Sequence, residues 1–371
     1  MLPRDNNFYR ELFYSIREGF EEIGVSVIGS LDYLTDFQLN EYCRENKISA
    51  VIEMNRSRNE RPELDKNIIH ISWVVDLRGH SLDYYQDSEI TYFFNSDWSE
   101  VYNSKSGQLY DWLAPGFDPK RYRILTTKDK KSDMSFVGHI PNPWNNDDLS
   151  RIVDENNNIR FSSIVDDISE QCEKNGGWRS LTGKEYIALV HGVMRKYTGK
   201  VYFEDTTLRY DTEVRTSRIL SRTDTIDMAL EMSQSLRIYG SENWKNWPRY
   251  KSKYVEYLNS SEAINNVFHS SKLNLHDGVG FHFRSINCIG SGAPLLYRHR
   301  PVLSGSKGAL WNHFDPGKHF LLLDDDVHGI EKYLHNPKGS ELDLQKARYI
   351  ALSEHSWRAR ANQIMSDIRK K

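Results

Sequence analysis

Short runs of β-branched and aliphatic residues recur along this chain, and helix-length stretches separate them. "ISAVIEM" and "NIIHISWVVD" stand early, while "LRIYGS", "KLNLHD", "GAPLLY" and "HFLLLDD" stand late. Strands joined by connections of that length do not fold as hairpins; they pair in parallel and carry helices on the faces of the sheet. The chain is therefore expected in the α/β class, as doubly wound units. The stretches between the strands agree. In "FYRELFYSIREGFEEIG", Phe8, Leu12, Ile16, Phe20 and Ile23 recur every three or four residues with charges between them, and Gly24 closes the helix. A short apolar run, "VSVIG", follows, and then "TDFQLNEYCRENK" reads as a helix capped by Thr35 or Asp36. One departure stands at the start: the chain opens on a helix where a doubly wound domain usually opens on a strand, so that strand is either absent or has been removed.

At 371 residues the chain exceeds what one hydrophobic core usually serves. A rigid loop, "APGFDP", with Pro115, Gly116 and Pro119, leads into the polar, lysine-rich "TTKDKKSD". This sets a boundary near residue 130: a Rossmann-like domain over 1–130, and a second over 131–345. "EYIALVHGVMRKY" and "TIDMALEMSQSL" give helical periodicity without clear strands, so a helical insertion is expected over about 145–235. The basic tail, 346–371, reads as one long helix or two shorter ones packing back on the first domain.

Composition narrows the function classes. A net charge of −3 gives no electrostatic case for nucleic acid, which needs a clustered basic surface. Cys43, Cys172 and Cys288 lie far apart, form no CxxC pair and are odd in number, against a disulfide framework. No run approaches the ~20 apolar residues of a membrane span, and "MLPRDNNFYREL" lacks the regions of a signal peptide. A cytoplasmic location is the default expectation, with peripheral contact at a membrane surface left open.

A resemblance then becomes specific. "MSFVGHI", "LRIYGSENW", "SSKLNLH", "FRSINCIGSGAPLL", "HFDPGKHFLLLDDDVHGIEKYL" and "ARYIALSEHSWRARANQI" resemble, in that order, the C-terminal half of the spore-maturation (CgeB-like) glycosyltransferases. "ISWVVD" and "LAPGFDP" are similar to pieces of that family's N-terminal half. The resemblance implies a GT-B fold, two Rossmann-like domains facing a cleft. It also implies a nucleotide-sugar donor, a glycan or other hydroxyl acceptor, and no metal or further cofactor. Relatives commonly carry a glutamate three residues after the arginine of the glycine-rich segment, and here that position is Asn287. An amide still bonds hydroxyls but lacks a carboxylate's charge-assisted acceptance.

Glycosyl transfer from such a donor leaves negative charge on a diphosphate, which cations, backbone N–H groups and helix N-termini stabilise. Arg284, Arg237 and Lys272 are the candidate cations. Arg284 is placed just before a helix starting between Ser285 and Cys288 and ending at Gly290 or Gly292, with Asn287 on the same face toward the cleft. An exposed salt bridge is its structural alternative. Gly240 and Ser241 would let a nucleotide approach the strand end, and Asn274 alternates with core leucines. For a general base, Asp76 at the end of "NIIHISWVVD" comes first, ahead of His80 and His139. A turn cap or a hydrogen-bonded histidine is the plainer reading of each.

Other chemistries find less support. Asp324, Asp325 and Asp326 follow a strand and precede a helix, where aspartates cap free N–H groups more readily than they bind metal. No GxSxG, GxxxxGK[ST] or GxGxxG motif occurs, and the histidines show no metal-ligand spacing. "SGSKG", 304–308, with Arg298 and Arg300, forms a basic patch that reads first as a solvated loop. A catalytically inactive nucleotide- or sugar-binding protein that kept the GT-B fold is the alternative function.

Overall fold

The apolar runs of the first third pair edge to edge as a four-stranded parallel sheet, β1 (Ala50–Met54), β2 (Ile69–Val74), β3 (Ile90–Phe93) and β4 (Leu109–Trp112), in that spatial order. The register sets Ile52 against Ile71 and Ile71 against Ile90, so aliphatic side chains stack across neighbouring strands. The computed structural model describes residues 1–77, 80–100, 108–126, 130–200, 206–278, 280–298, 306–323, 327–339 and 341–371. Before β1 come α1 (Asn7–Glu21), capped by Asn6, and α2 (Asp36–Asn46), closed by a Thr35–Gln38 capping box. A short α3 (Ser96–Glu100) links β3 to β4.

"VSVIG" is not a strand. Val25 and Val27 pack on the core, but Met1 and Leu2 stand between this segment and the edge of β1: the Met1 ammonium donates to the Ile52 carbonyl at 2.6 Å and Leu2 N–H to that of Ser30 at 3.2 Å.

The second sheet is also parallel. Its strands are β5 (Ser132–Val137), β8 (Leu236–Tyr239), β9 (Ser271–Asp277), β10 (Leu295–Arg298) and β11 (Leu321–Leu322), in the spatial order β11-β10-β9-β5-β8. Counted along the chain within the sheet, that is the doubly wound order 2-1-3-4-5. Helices α9 (Ser261–Ser270), α10 (Phe283–Ser291) and α11 (Val327–His335) flank it.

The insertion between β5 and β8 differs from the all-helical reading. Besides α4 (Asn146–Ser150), α5 (Phe161–Lys174), α6 (Gly183–Thr198) and α7 (Thr206–Arg209), it holds an antiparallel hairpin, β6 (Ile152–Asp154) with β7 (Ile159–Arg160). Two- and three-residue strands are too short to leave an alternation in sequence. A π-helical turn, Tyr210–Arg215, then leads into α8 (Thr216–Met232). Ile226 and Ala229 of α8 join the core of the second sheet, so α8 is a crossover helix of that sheet and no part of the inserted bundle.

The chain passes between the two units twice. The tail divides at Ser356 into α12 (Leu344–Glu354), packed on α10, and α13 (Trp357–Ile368), packed on α1. At that division Phe117 N–H donates to the His355 carbonyl at 2.7 Å and Trp357 N–H to the Phe117 carbonyl at 3.3 Å, tying the two crossings together. Gly290, inside α10, has the Phe117 ring against it: a Cβ there would come within 2.4 Å of the ring. Gly290→Ala is expected to destabilise the protein by about 1–3 kcal/mol, read from the midpoint of urea unfolding. Two α/β units with parallel sheets, the layout expected of a GT-B chain, are thus present, joined across an aromatic contact of Phe283 with Trp73 at 6.1 Å and Phe94 at 5.5 Å.

Candidate active site

In a sheet ordered 2-1-3-4-5 the connections leave the first strand in opposite directions, which opens a crevice beyond the carboxyl ends of strands one and three. Here those strands are β5 and β9. Gly138 and His139 follow β5, and β9 ends on His276 and Asp277. Just beyond β9, α10 starts at Phe283, so the positive end of its dipole faces the crevice. Arg284 is the second residue of that helix. Its Nη1 donates to the Val137 carbonyl at 2.6 Å, and Gly138 leaves the room: a Cβ at 138 would come within 2.5 Å of Nη1.

Two further arginines arrive from α8, Arg218 and Arg222, one helical turn apart. Arg222 pairs with the Asp277 carboxylate and donates from Nε to the His139 carbonyl at 3.3 Å. Ser221 donates to the same carboxylate at 2.6 Å. Like charges at i and i+4 on a helix repel, which costs a few tenths of a kcal/mol and favours negative charge nearby. Asp277 offsets one guanidinium.

The electrostatics register the crowding. Burial, then Arg218, lowers Arg284 to about 10. Burial, then Arg218, Arg284 and Arg222, lowers His139 to about 4, although one side of this residue is exposed to solvent. Burial, then Arg284 above all, drives both His276 and His282 well below the usual histidine range. His282 is the N-cap of α10, and its Nδ1 accepts from the Arg284 backbone N–H at 3.2 Å and faces Arg284 Nε at 3.4 Å. That leaves the ring neutral with its proton on Nε2. His276 lies buried with no hydrogen-bond partner at either ring nitrogen, and the Ser241 hydroxyl at the end of β8 also lacks one. Crowded cations beside unsatisfied buried donors describe a place prepared for an anion.

The residues singled out in the sequence divide into those this crevice gathers and those held elsewhere. Arg284, His139, Gly240 and Ser241 lie at the carboxyl ends of the strands. Gly240 also serves the backbone, with φ +144 and the Gly138 carbonyl only 1.9 Å from where its Cβ would stand. Lys272 does not belong: it is the second residue of β9, at the opposite end of the strand, bound to Asp133 at 2.8 Å and to the Leu334 carbonyl. Asn274 is buried inside the sheet, where it bonds Ser135, Phe268 and Pro294. Arg237 is half-buried in mid-strand, level with Ser135 rather than with the end of β5.

Helix α10 starts two residues earlier than expected, which puts Gly290 in its interior against Phe117 and Gly292 at its C-cap with φ +80. Both glycines are required by packing and the turn. Asn287 parts from Arg284: it is buried beside the Tyr122 hydroxyl, which burial pushes up to about 12 while Ser261 and Asn287 hydrogen-bond it. Of the base candidates, Asp76 is exposed two residues past β2, near Tyr9 of α1. His80 is stacked on Tyr84 at 3.8 Å. Lys307 of the basic loop reaches Asp111 of the first sheet, and Arg298 pairs with Asp224. Arg300 and Asp324 to Asp326 lie outside the described residues. Arg218 and Arg222 escaped the sequence reading, although "RILSR" carries their spacing in plain view.

Residues 217–366 match the glycosyl transferase-like family. The match takes in Arg218, Arg222, β8 to β11 and Arg284, so it is the C-terminal part of the chain that is similar to a glycosyl transferase-like domain. No curated protein matches the sequence. Among solved structures, AviGT4, a glycosyltransferase involved in avilamycin A biosynthesis, is similar at 10% identity and a TM-score of 0.49, over 97% of this chain and 88% of that one. A glycosyltransferase from Rickettsia africae is similar at 7% identity and 0.47, over 97% and 94%. Sucrose-phosphate synthase from Thermosynechococcus elongatus is similar at 10% and 0.44, over 92% and 81%. Among the described residues no helix is long and apolar enough to cross a membrane, and no three His, Cys, Asp or Glu side chains gather as a metal site.

Proposed function

We propose that this protein is a glycosyltransferase of CgeB-like type, moving a sugar from a nucleotide-sugar donor to a hydroxyl of a saccharide or related acceptor without a metal. The observation that carries the reading is the group of three arginines at the β5–β9 crevice, where burial and then Arg218 lower Arg284 and one carboxylate offsets Arg222. A diphosphate supplies the missing negative charge. When the bond from the anomeric carbon to the diphosphate oxygen breaks, the electron pair stays on that oxygen, where guanidiniums and the N-terminus of α10 stabilise it. The acceptor oxygen bonds the anomeric carbon and gives up its proton. We assign that proton to Asp76, which is exposed beyond β2 in the facing unit.

Asp76→Asn is expected to lower turnover by ~10²–10⁴-fold while nucleotide affinity stays as it was. Isothermal titration with the nucleoside diphosphate, beside a transfer assay, separates the two. A second reading, a silent nucleotide- or sugar-binding protein, rests on Asn287 and its engagement with Tyr122. Thermal-shift titration with UDP-, GDP-, TDP- and CMP-sugars, followed by donor hydrolysis, distinguishes them. Binding with turnover supports transfer, binding without turnover supports the second reading, and no stabilisation by any nucleotide overturns both.

A further inference from the structure

The charges at the β5–β9 crevice can be counted against those of a donor. Three guanidiniums, Arg218, Arg222 and Arg284, meet one carboxylate, Asp277, which Arg222 and Ser221 hold. Among the described residues Arg218 and Arg284 have no carboxylate partner, which leaves their two positive charges unmatched. An intact nucleotide-sugar bears one negative charge on each phosphate of its diphosphate, and so balances them. A nucleoside diphosphate bears more, because its freed terminal phosphate titrates at about pH 6 and is largely a dianion at neutral pH. That added charge appears only when the bond to the anomeric carbon breaks, and neither unmatched guanidinium is left over for it.

Three imidazoles border the crevice, and they differ in what they can accept. His282 is committed: its Nδ1 accepts the Arg284 backbone N–H at 3.2 Å, and a second proton on the ring would remove that cap of α10. His276, its ring centre 5.1 Å from that of His282, is only 3% exposed and is shut off from solvent. His139 follows the end of β5, has its carbonyl fixed by Arg222 Nε at 3.3 Å, and is exposed. The charged groups that face it are Arg218 and Arg222 from α8 and Arg284 from α10; His282 faces it from the N-cap of α10, and Asp277 at the end of β9 is taken up by Arg222. Cations on these sides keep the ring neutral in the ligand-free protein, and a bound anion that outweighs them reverses the preference.

We propose that His139 is a further catalytic residue, the one that takes up a proton as the diphosphate leaves and donates it in a hydrogen bond to the freed oxygen. The inference rests on the glycosyl-transfer reading above and adds the leaving-group side to it. The bond from the anomeric carbon to the diphosphate oxygen breaks with its electron pair on that oxygen. The acceptor oxygen bonds the carbon, and its proton passes through Asp76 to solvent. His139 takes one proton from solvent through its exposed side, so the proton that transfer releases is matched by an imidazolium N–H on the product diphosphate. The intact donor is held by the arginines and needs no such proton.

The test is calorimetric titration of the full chain at pH 7 in buffers of different ionisation heat, with UDP against UDP-glucose, GDP against GDP-mannose and TDP against TDP-glucose. For the pair that binds, the wild type is expected to take up ~0.5–1 proton with the nucleoside diphosphate and about none with the nucleotide-sugar. Its affinity for the nucleoside diphosphate is expected to fall ~10-fold between about pH 6.5 and pH 8.5, while that for the nucleotide-sugar holds. His139→Gln keeps a polar side chain that takes no proton; it is expected to abolish the uptake and to weaken the nucleoside diphosphate ~10-fold at about pH 6.5, with Tm and nucleotide-sugar affinity unchanged. If the variant melts early, the wild-type contrast between the two ligands decides alone. Equal uptake with both members of the pair, binding of the nucleoside diphosphate without uptake, or undiminished uptake in His139→Gln overturns the proposal and leaves the transfer reading standing. Failure of every nucleotide to bind overturns both.

Discussion

Arg284→Ala is expected to lower kcat/KM for a nucleotide-sugar donor by ~10²–10³-fold, the usual effect of removing one preorganised group from developing negative charge. Arg284 combines three features: the first turn of α10, a bond to the Val137 carbonyl at 2.6 Å, and a buried place in the field of Arg218. Even lowered to about 10, it remains charged at neutral pH. Arg284→Lys is expected to recover only part of the loss, because one ammonium cannot hold the carbonyl and grip a diphosphate bidentately. The Ala variant removes a charge from a crowded cationic group, so its Tm is expected to hold while its affinity for a nucleoside diphosphate falls. Titration calorimetry and a thermal melt check both. Unchanged affinity would remove Arg284 from the site.

The largest stability effect is expected far from the crevice, at Arg61. Its guanidinium is fully buried and bonds Glu53 through Nε at 2.9 Å and Nη2 at 2.5 Å, with Asp36 at 2.9 Å. His70 Nε2 lies 3.0 Å from the same buried Glu53 carboxylate. Arg61→Ala leaves Glu53 charged and buried without its main partner, at a cost of about 3–5 kcal/mol in urea unfolding at pH 7. Replacing both with well-packed apolar residues, as in Arg61→Met with Glu53→Leu, is expected to restore much of that. Burial alone would raise the Glu53 pKa, but the bonds from His70 and Arg61 hold it down to about 2. A depressed carboxylate contributes stability that is fully present above its unfolded value, near 4.3, and is lost as pH falls through the folded one. Wild-type stability should therefore decline between about pH 4 and pH 2 by more than that of the double apolar variant.

Much of this architecture is legible in the sequence because it is set by local side-chain shape. β-branched runs between amphipathic stretches can hardly form anything but parallel strands with crossover helices, and Gly24, Thr35 and Gly292 mark helix ends by their own conformational preferences. Arg284 was legible for a similar reason, standing between an apolar run and the glycines that end α10. Lys272 was misplaced because polarity alternating with leucines says which face a residue takes, not which end of the strand meets the crevice. Gly290 was misplaced because the reason for a glycine there, the Phe117 ring, comes from a loop far away in sequence.

The sequence by itself determined the α/β class, the two parallel units and one arginine of the crevice, since periodicity, propensity and capping act within a few residues. The tertiary structure alone decided that Arg218 and Arg222 join Arg284, and that Asn287 turns to Tyr122. Those facts depend on which strands become neighbours. The reversal of strand order at β5 brings α8 and α10 to one crevice from positions more than fifty residues apart, and nothing in the local pattern of either helix records the other.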